Sequence, residues 1–112
     1  MPQYMLLMYH PLEGPPTENW AEQRQQWDTF VKDITDAGVL VHNRGLQGAE
    51  AATTVRVRDG ETQITDGPFA ETKELLAGYF LVDAGDLDTA LTWAARIPSV
   101  TYGSVEVRPV RG

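Results

Sequence analysis

Residues 75–110 read LLAGYFLVDAGDLDTALTWAARIPSVTYGSVEVRPV, and this stretch decides the fold. Leu75 to Asp83 is an apolar run of strand length, suited to burial on both faces. Gly85-Asp86 opens a helix with Asp86 as N-cap. Leu87, Ala90, Leu91, Ala94 and Ile97 then recur at helical spacing and make one apolar face. Pro98 ends the helix. Gly103 to Val110 alternates like a strand, and Pro109 suits an edge position or a strand end. The stretch is strand, helix, strand.

The same unit precedes it. Gln3 to Tyr9 (QYMLLMY) is a short apolar strand, followed by the loop residues Glu13 to Pro16 (EGPP). Thr17 is the expected N-cap of a helix of about 20 residues. Trp20, Trp27, Phe30, Val31 and Ile34 form its apolar stripe, and Ala37-Gly38 its end. A second strand starts at Val39 to Val41 and runs through His42 toward Gly45 and Leu46.

Between the two units lies a hairpin. Thr53 to Arg58 alternates, Asp59-Gly60 follows, and a second short run spans Glu61 to Thr65. An Asp-Gly pair between alternating runs signals a two-residue turn, which sets the register. Arg58 then faces Glu61, Arg56 faces Gln63, Val55 faces Ile64 and Thr53 faces Asp66. The charge pair and the apolar pair make this register self-consistent.

The predicted fold is α+β: a ferredoxin-like split βαβ with an inserted β-hairpin. Two helices cover one face of the sheet. The other face stays apolar, with Tyr4, Leu6 and Met8 on one side of the first strand and Met5, Leu7 and Tyr9 on the other. An uncovered apolar face of this size is an interaction surface, and a second copy of the chain is its economical partner.

Composition bounds the rest. A chain of 112 residues and 12.4 kDa makes one domain, residues 1–112. With no cysteine there are no disulfides, thiolate metal sites or thiol nucleophiles. A net charge of −7 with scattered basic residues argues against nucleic acid. No apolar run spans a membrane and no basic leader precedes a cleavage site, so the expected location is the cytoplasm.

Few residues point to chemistry. His42, expected on the same strand face as Leu40 and Arg44, is a candidate general acid or base, with Arg44 two residues on to hold an anionic ligand. The alternative is a surface or half-buried imidazole with a backbone partner. His10 stands at a strand end before Pro11. Two histidines on separate segments, without matching carboxylate spacing, give no metal site, and no cofactor motif is present. Trp20, Trp27 and Trp93 suit a helix core better than a stacking platform. In Thr65 to Glu74 (TDGPFAETKE), Gly67-Pro68 is a turn element and Asp66 suits an Asx turn. The sharper reading has Asp66, Glu71 and Lys73 rim a cleft.

TVRVRDGETQITDGPFAETKE, with the segments quoted above on either side, resembles the DGPF subgroup of the YCII-related proteins over essentially the whole chain. The resemblance implies a dimeric α+β barrel in which two ferredoxin-like subunits set their open sheet faces together, with a cleft in each. It also implies an association with sigma-factor-linked transcription. The wider family is proposed to use a His–Asp dyad. Aligned on Ala37-Gly38, Trp27 or a close neighbour stands at the histidine; aligned on Pro98, Ile97 stands at the aspartate. Neither dyad residue is present.

Three functions follow as expectations. One is a homodimer that binds a small organic ligand through Asp66, Gly67, Pro68, Phe69, Lys73, Arg44 and His42, with a transcription-related protein as a regulatory partner. Another is a cofactor-free enzyme of lyase, isomerase or hydrolase type, with Asp66, His42 or Glu71 as acid or base. The third is a structural interaction protein. A cleft holding an imidazole or carboxyl with a perturbed pKa favours the enzyme.

Overall fold

A computed structural model describes residues 2–68 and 73–112. Strand β1 spans Gln3–Pro11, helix α1 Trp20–Asp36, β2 Leu40–Gly45, β3 Thr53–Arg58, β4 Glu61–Asp66, β5 Glu74–Asp83, α2 Leu87–Arg96 and β6 Ser104–Pro109. Single 3-10 turns lie at Ala49–Ala51 and Pro98–Thr101. Four strands form an antiparallel sheet in the order β2-β5-β1-β6, and β3 and β4 form a separate ribbon. This is the ferredoxin-like topology with a hairpin inserted between β2 and β5.

Strand parity builds the core. Tyr4, Leu6 and Met8 of β1 and Phe80 and Val82 of β5 point toward the helices and are buried. Phe30 and Ile34 of α1, with Ala90 and Ala94 of α2 and Ile97 beyond it, close over them. Leu6, Ile34, Val82 and Ile97 have no exposed surface. The ring of Phe30 meets Phe80 edge-on at 5.3 Å, and Trp27 stacks parallel to Phe80 at 6.4 Å. Such pairs add about 0.5–1.5 kcal/mol each to the burial of their area.

Three local features differ from the expected ones. Helix α1 begins at Trp20, not Thr17, and Asn19 precedes it in the left-handed region with φ 57°. No side chain caps this end; instead the Gln23 amide donates back to the carbonyls of Pro16 and Glu18, at 2.9 and 2.7 Å. On α2, Asp86 accepts from the Thr89 N–H at 2.8 Å as expected, and that bond lowers its pKa. Leu87 and Leu91, however, remain 47% and 46% exposed. The alanine side of α2, being small, lies closest to the sheet and leaves both leucines at its margin. In β2, a shift between Leu40 and His42 pairs Leu40 with Val82 but His42 with Leu81. His42 therefore lies on the opposite face from Leu40, not the same one.

The hairpin has the predicted register throughout, from Thr53 opposite Asp66 to Arg58 opposite Glu61. Its turn places Asp59 and Gly60 at φ 54° and 78°, the positive values of a primed turn. The corner after it puts Gly67 at φ 98°. Gly67 is tied on both sides: its N–H donates to the Ala52 carbonyl at 2.8 Å, and its carbonyl accepts from the Thr54 hydroxyl at 2.7 Å.

The molecule is flat and open. It measures 47 × 40 × 18 Å, and its radius of gyration is 15.9 Å. A compact chain of this length would have about 13 Å. The hairpin accounts for part of the excess. Val55, Val57 and Ile64 on its apolar side are 60%, 58% and 69% exposed. Among the described residues, no helix is long and apolar enough to cross a membrane.

Candidate functional site

A cleft of about 520 Å³ opens between α1 and the sheet, where β1, β2 and β5 reach the same end. Its outer wall is one stripe of α1. Trp20, Arg24, Trp27 and Val31 follow one another by four, three and four residues, so all face the same way. Its floor is Met8, Ala77 and Phe80, and Asn43 lines the side from β2. Tyr102, just past the Pro98–Thr101 turn, closes the inner end beside His10.

Two local features create this space. A bulge in β5 skips Ala77, so that Met8 pairs with Gly78 and Tyr9 with Leu76. Bulges of this kind re-aim strands beside functional sites. The next residue, Gly78, has no room for a side chain. A Cβ there would stand 2.6 Å from the Arg44 carbonyl and 2.8 Å from the Met8 methyl. The missing side chain lets β2 and Met8 close on the strand and leaves the cleft above them.

His10 is the cleft's most unusual group. Its ring lies 5.5 Å from that of Tyr102, tilted by 53°. Its Nε2 is shut off from solvent and has no hydrogen-bond partner among the described residues. Burial lowers the imidazole pKa, so His10 is neutral near pH 7, and burial raises that of the Tyr102 phenol. A buried nitrogen left unpaired costs about 1–3 kcal/mol, so it calls for a partner that the described residues do not supply.

The remaining polar groups of the cleft are Gln23, Arg24, Asn43 and Arg44. The Arg44 guanidinium folds back onto its own strand and donates to the Asn43 carbonyl at 2.7 Å. Arg24 forms no ion pair with any described residue. No Asp or Glu is among the described residues that line the cleft. Nor do three or more His, Asp or Glu of the described residues come together as a metal would require.

Of the residues expected from the sequence to bind a ligand or act as acid or base, Arg44 alone is among the described residues that line this cleft. His42 is on the open face of the sheet, where its Nδ1 shares a hydrogen bond with the Tyr79 hydroxyl at 2.8 Å. Asp66, Gly67 and Pro68 form the corner after the hairpin, with Asp66 exposed at the end of β4. Lys73 is exposed, and its carbonyl accepts from the Leu12 N–H at 3.1 Å. Phe69 and Glu71 lie outside the described residues. Trp20, expected in the core, is 63% exposed at the cleft mouth. Its half of α1 covers the cleft and not the sheet, so a stripe of core character lines an opening.

His10 escaped selection because it looked like a strand end. A usable signal was strand parity: Tyr4, Leu6 and Met8 face the helices, and two residues further on His10 does too.

The open face has its own polar margin. The Tyr9 hydroxyl donates to Glu106 at 3.3 Å, and Arg108 pairs with the same carboxylate at 2.5 Å. The hydrogen bond from Arg108 holds the Glu106 carboxyl below its ordinary value. Met5, Leu7 and Leu81 lie half-buried between this pair and His42–Tyr79.

Comparison with known proteins gives two matches. The model of the YCII-related domain matches residues 3–112. An uncharacterized protein of Rhizobium meliloti (strain 1021) is 35% identical over 116 residues, covering 96% of this chain and 90% of that one.

Proposed function

This chain belongs to the family of YCII-related domains, and on that premise we propose that it binds a small organic molecule and works as a homodimer. The observation that carries the ligand half is the Nε2 of His10, buried and without a partner among the described residues, at a cleft walled by Trp20, Trp27 and Phe80. Apolar walls with a few converging polar groups are the usual make-up of a ligand site. The volume suits a molecule of one or two rings.

The dimer half rests on unpartnered apolar surface. The open sheet face presents Met5, Leu7 and Leu81, and the hairpin presents Val55, Val57 and Ile64 with no core beneath them. A two-stranded ribbon is marginal by itself, so packing against a second copy supplies what this one lacks.

Native mass spectrometry of the purified protein tests both halves. The expected species has twice the mass of the 12.4 kDa chain and carries a bound small molecule that is lost on denaturation. A ligand-free monomer, with no metabolite in a mixed pool shifting its melting temperature, refutes the reading.

A further inference from the structure

The cleft's charge is opposite to that of the protein. The chain has 16 acidic and 9 basic residues. Yet the described lining contains two arginines and no carboxylate. Three other cations have carboxylate partners: Lys32 pairs with Asp36, Arg96 with Asp33 and Arg108 with Glu106. Among the described residues Arg24 has no such partner, although it sits on a helix with Glu22 and Asp28 nearby in sequence. It shares its face with Trp20 and Trp27, one turn to either side. A planar guanidinium set between two aromatic rings suits a flat ligand with an anionic end.

We propose that the cleft selects a small aromatic acid in its anionic form, Arg24 pairing with the negative group and the rings of Trp20, Trp27 and Phe80 holding the body. This deepens the ligand-binding reading and rests on it. An acidic surface around a cationic cleft also disfavours loose anion binding elsewhere, because the remaining field repels it. The half-buried His10, neutral at the inner end, is left to meet a hydroxyl or carbonyl on the far side of the ring.

Isothermal titration with two probes of the same shape tests this. 4-Hydroxybenzoate carries the anion, and 4-hydroxybenzamide replaces it with a neutral amide. The expected result is binding of the acid at least tenfold tighter than the amide. Arg24→Gln should reduce the acid to the level of the amide and leave the amide unchanged. Arg44→Gln should leave the preference in place. Equal binding of acid and amide overturns the charge selection while the cleft remains a ligand site. A preference that survives in Arg24→Gln, or disappears only in Arg44→Gln, overturns the role of Arg24. Absence of heat from both probes at millimolar concentration overturns the ligand class. The bound molecule sought by native mass spectrometry then decides separately whether the cleft is a ligand site at all.

Discussion

Replacing His10 by leucine should make the protein more stable. The imidazole Nε2 is buried without a partner among the described residues, and a group in that condition costs about 1–3 kcal/mol. Leucine has comparable reach and no polar atom to strand, and it can pack against the ring of Tyr102. The expected gain at pH 7.5 is about 1–2 kcal/mol. The gain should grow in acid. Burial lowers the folded-state pKa of His10, so the unfolded chain takes up a proton that the folded chain resists. The wild type therefore loses stability as pH falls through about 6.5, the unfolded imidazole value, and stops losing it below the folded value. Between pH 7.5 and 5.5 the penalty reaches at most about 1.4 kcal/mol, one proton's worth over the pH unit below 6.5. All other groups are common to both proteins, so the difference between wild type and variant isolates His10. Urea unfolding at both pH values, followed by tryptophan fluorescence at one protein concentration, measures it. A variant less stable than wild type at pH 7.5, or a difference that does not widen at pH 5.5, refutes the account of His10 as a stranded group.

Four further substitutions probe other parts of the molecule. Gly78→Ala forces a methyl against the Arg44 carbonyl and the Met8 side chain; it should cost about 1–3 kcal/mol in a urea titration and weaken ligand binding in the cleft. Gly67→Ala, at φ 98°, should lower stability by about 1 kcal/mol or more, read as a drop in melting temperature. The neighbouring Asp66→Asn should leave the melting temperature nearly unchanged. Leu7→Asp sets a charge in the open sheet face and should shift sedimentation at micromolar concentration from twice 12.4 kDa to the single-chain mass, with helix content retained.

Apart from the start of α1, what could be read in advance was what depends on neighbours in sequence. The Asp59-Gly60 turn predicts every pair of the hairpin, because two residues with positive φ leave one register. The cap at Asp86 and the stops at Gly38 and Pro98 are equally local. The sheet order followed from two strand–helix–strand units that had to share one face. The cleft was not legible, because it depends on interruptions of regularity. The bulge at Ala77 and the slip at Val41 each reverse strand parity, and periodicity assumes parity is unbroken. The small pair Ala77-Gly78 inside an apolar strand was the available sign of the first. Trp20 and Trp27 fell at core spacing, but that spacing says only that residues share a face. Whether a sheet or an opening lies opposite depends on how far α1 extends past the strands.

The strand order has a consequence for how this chain is made. β1 lies inside the sheet, between β5 and β6, yet β5 begins only at Glu74 and β6 at Ser104. As the polypeptide leaves the ribosome, β1 emerges first and has no neighbour until most of the chain has followed. Its apolar residues, Tyr4 to Tyr9, must wait exposed or shielded by a chaperone. Pairing over such long sequence separations is slow, because the loop must close before any contact rewards it. Helix α1 and the hairpin, both local, can form during that wait. Substitutions that make β1 stickier should therefore lower the yield of folded protein before they alter the stability of what folds.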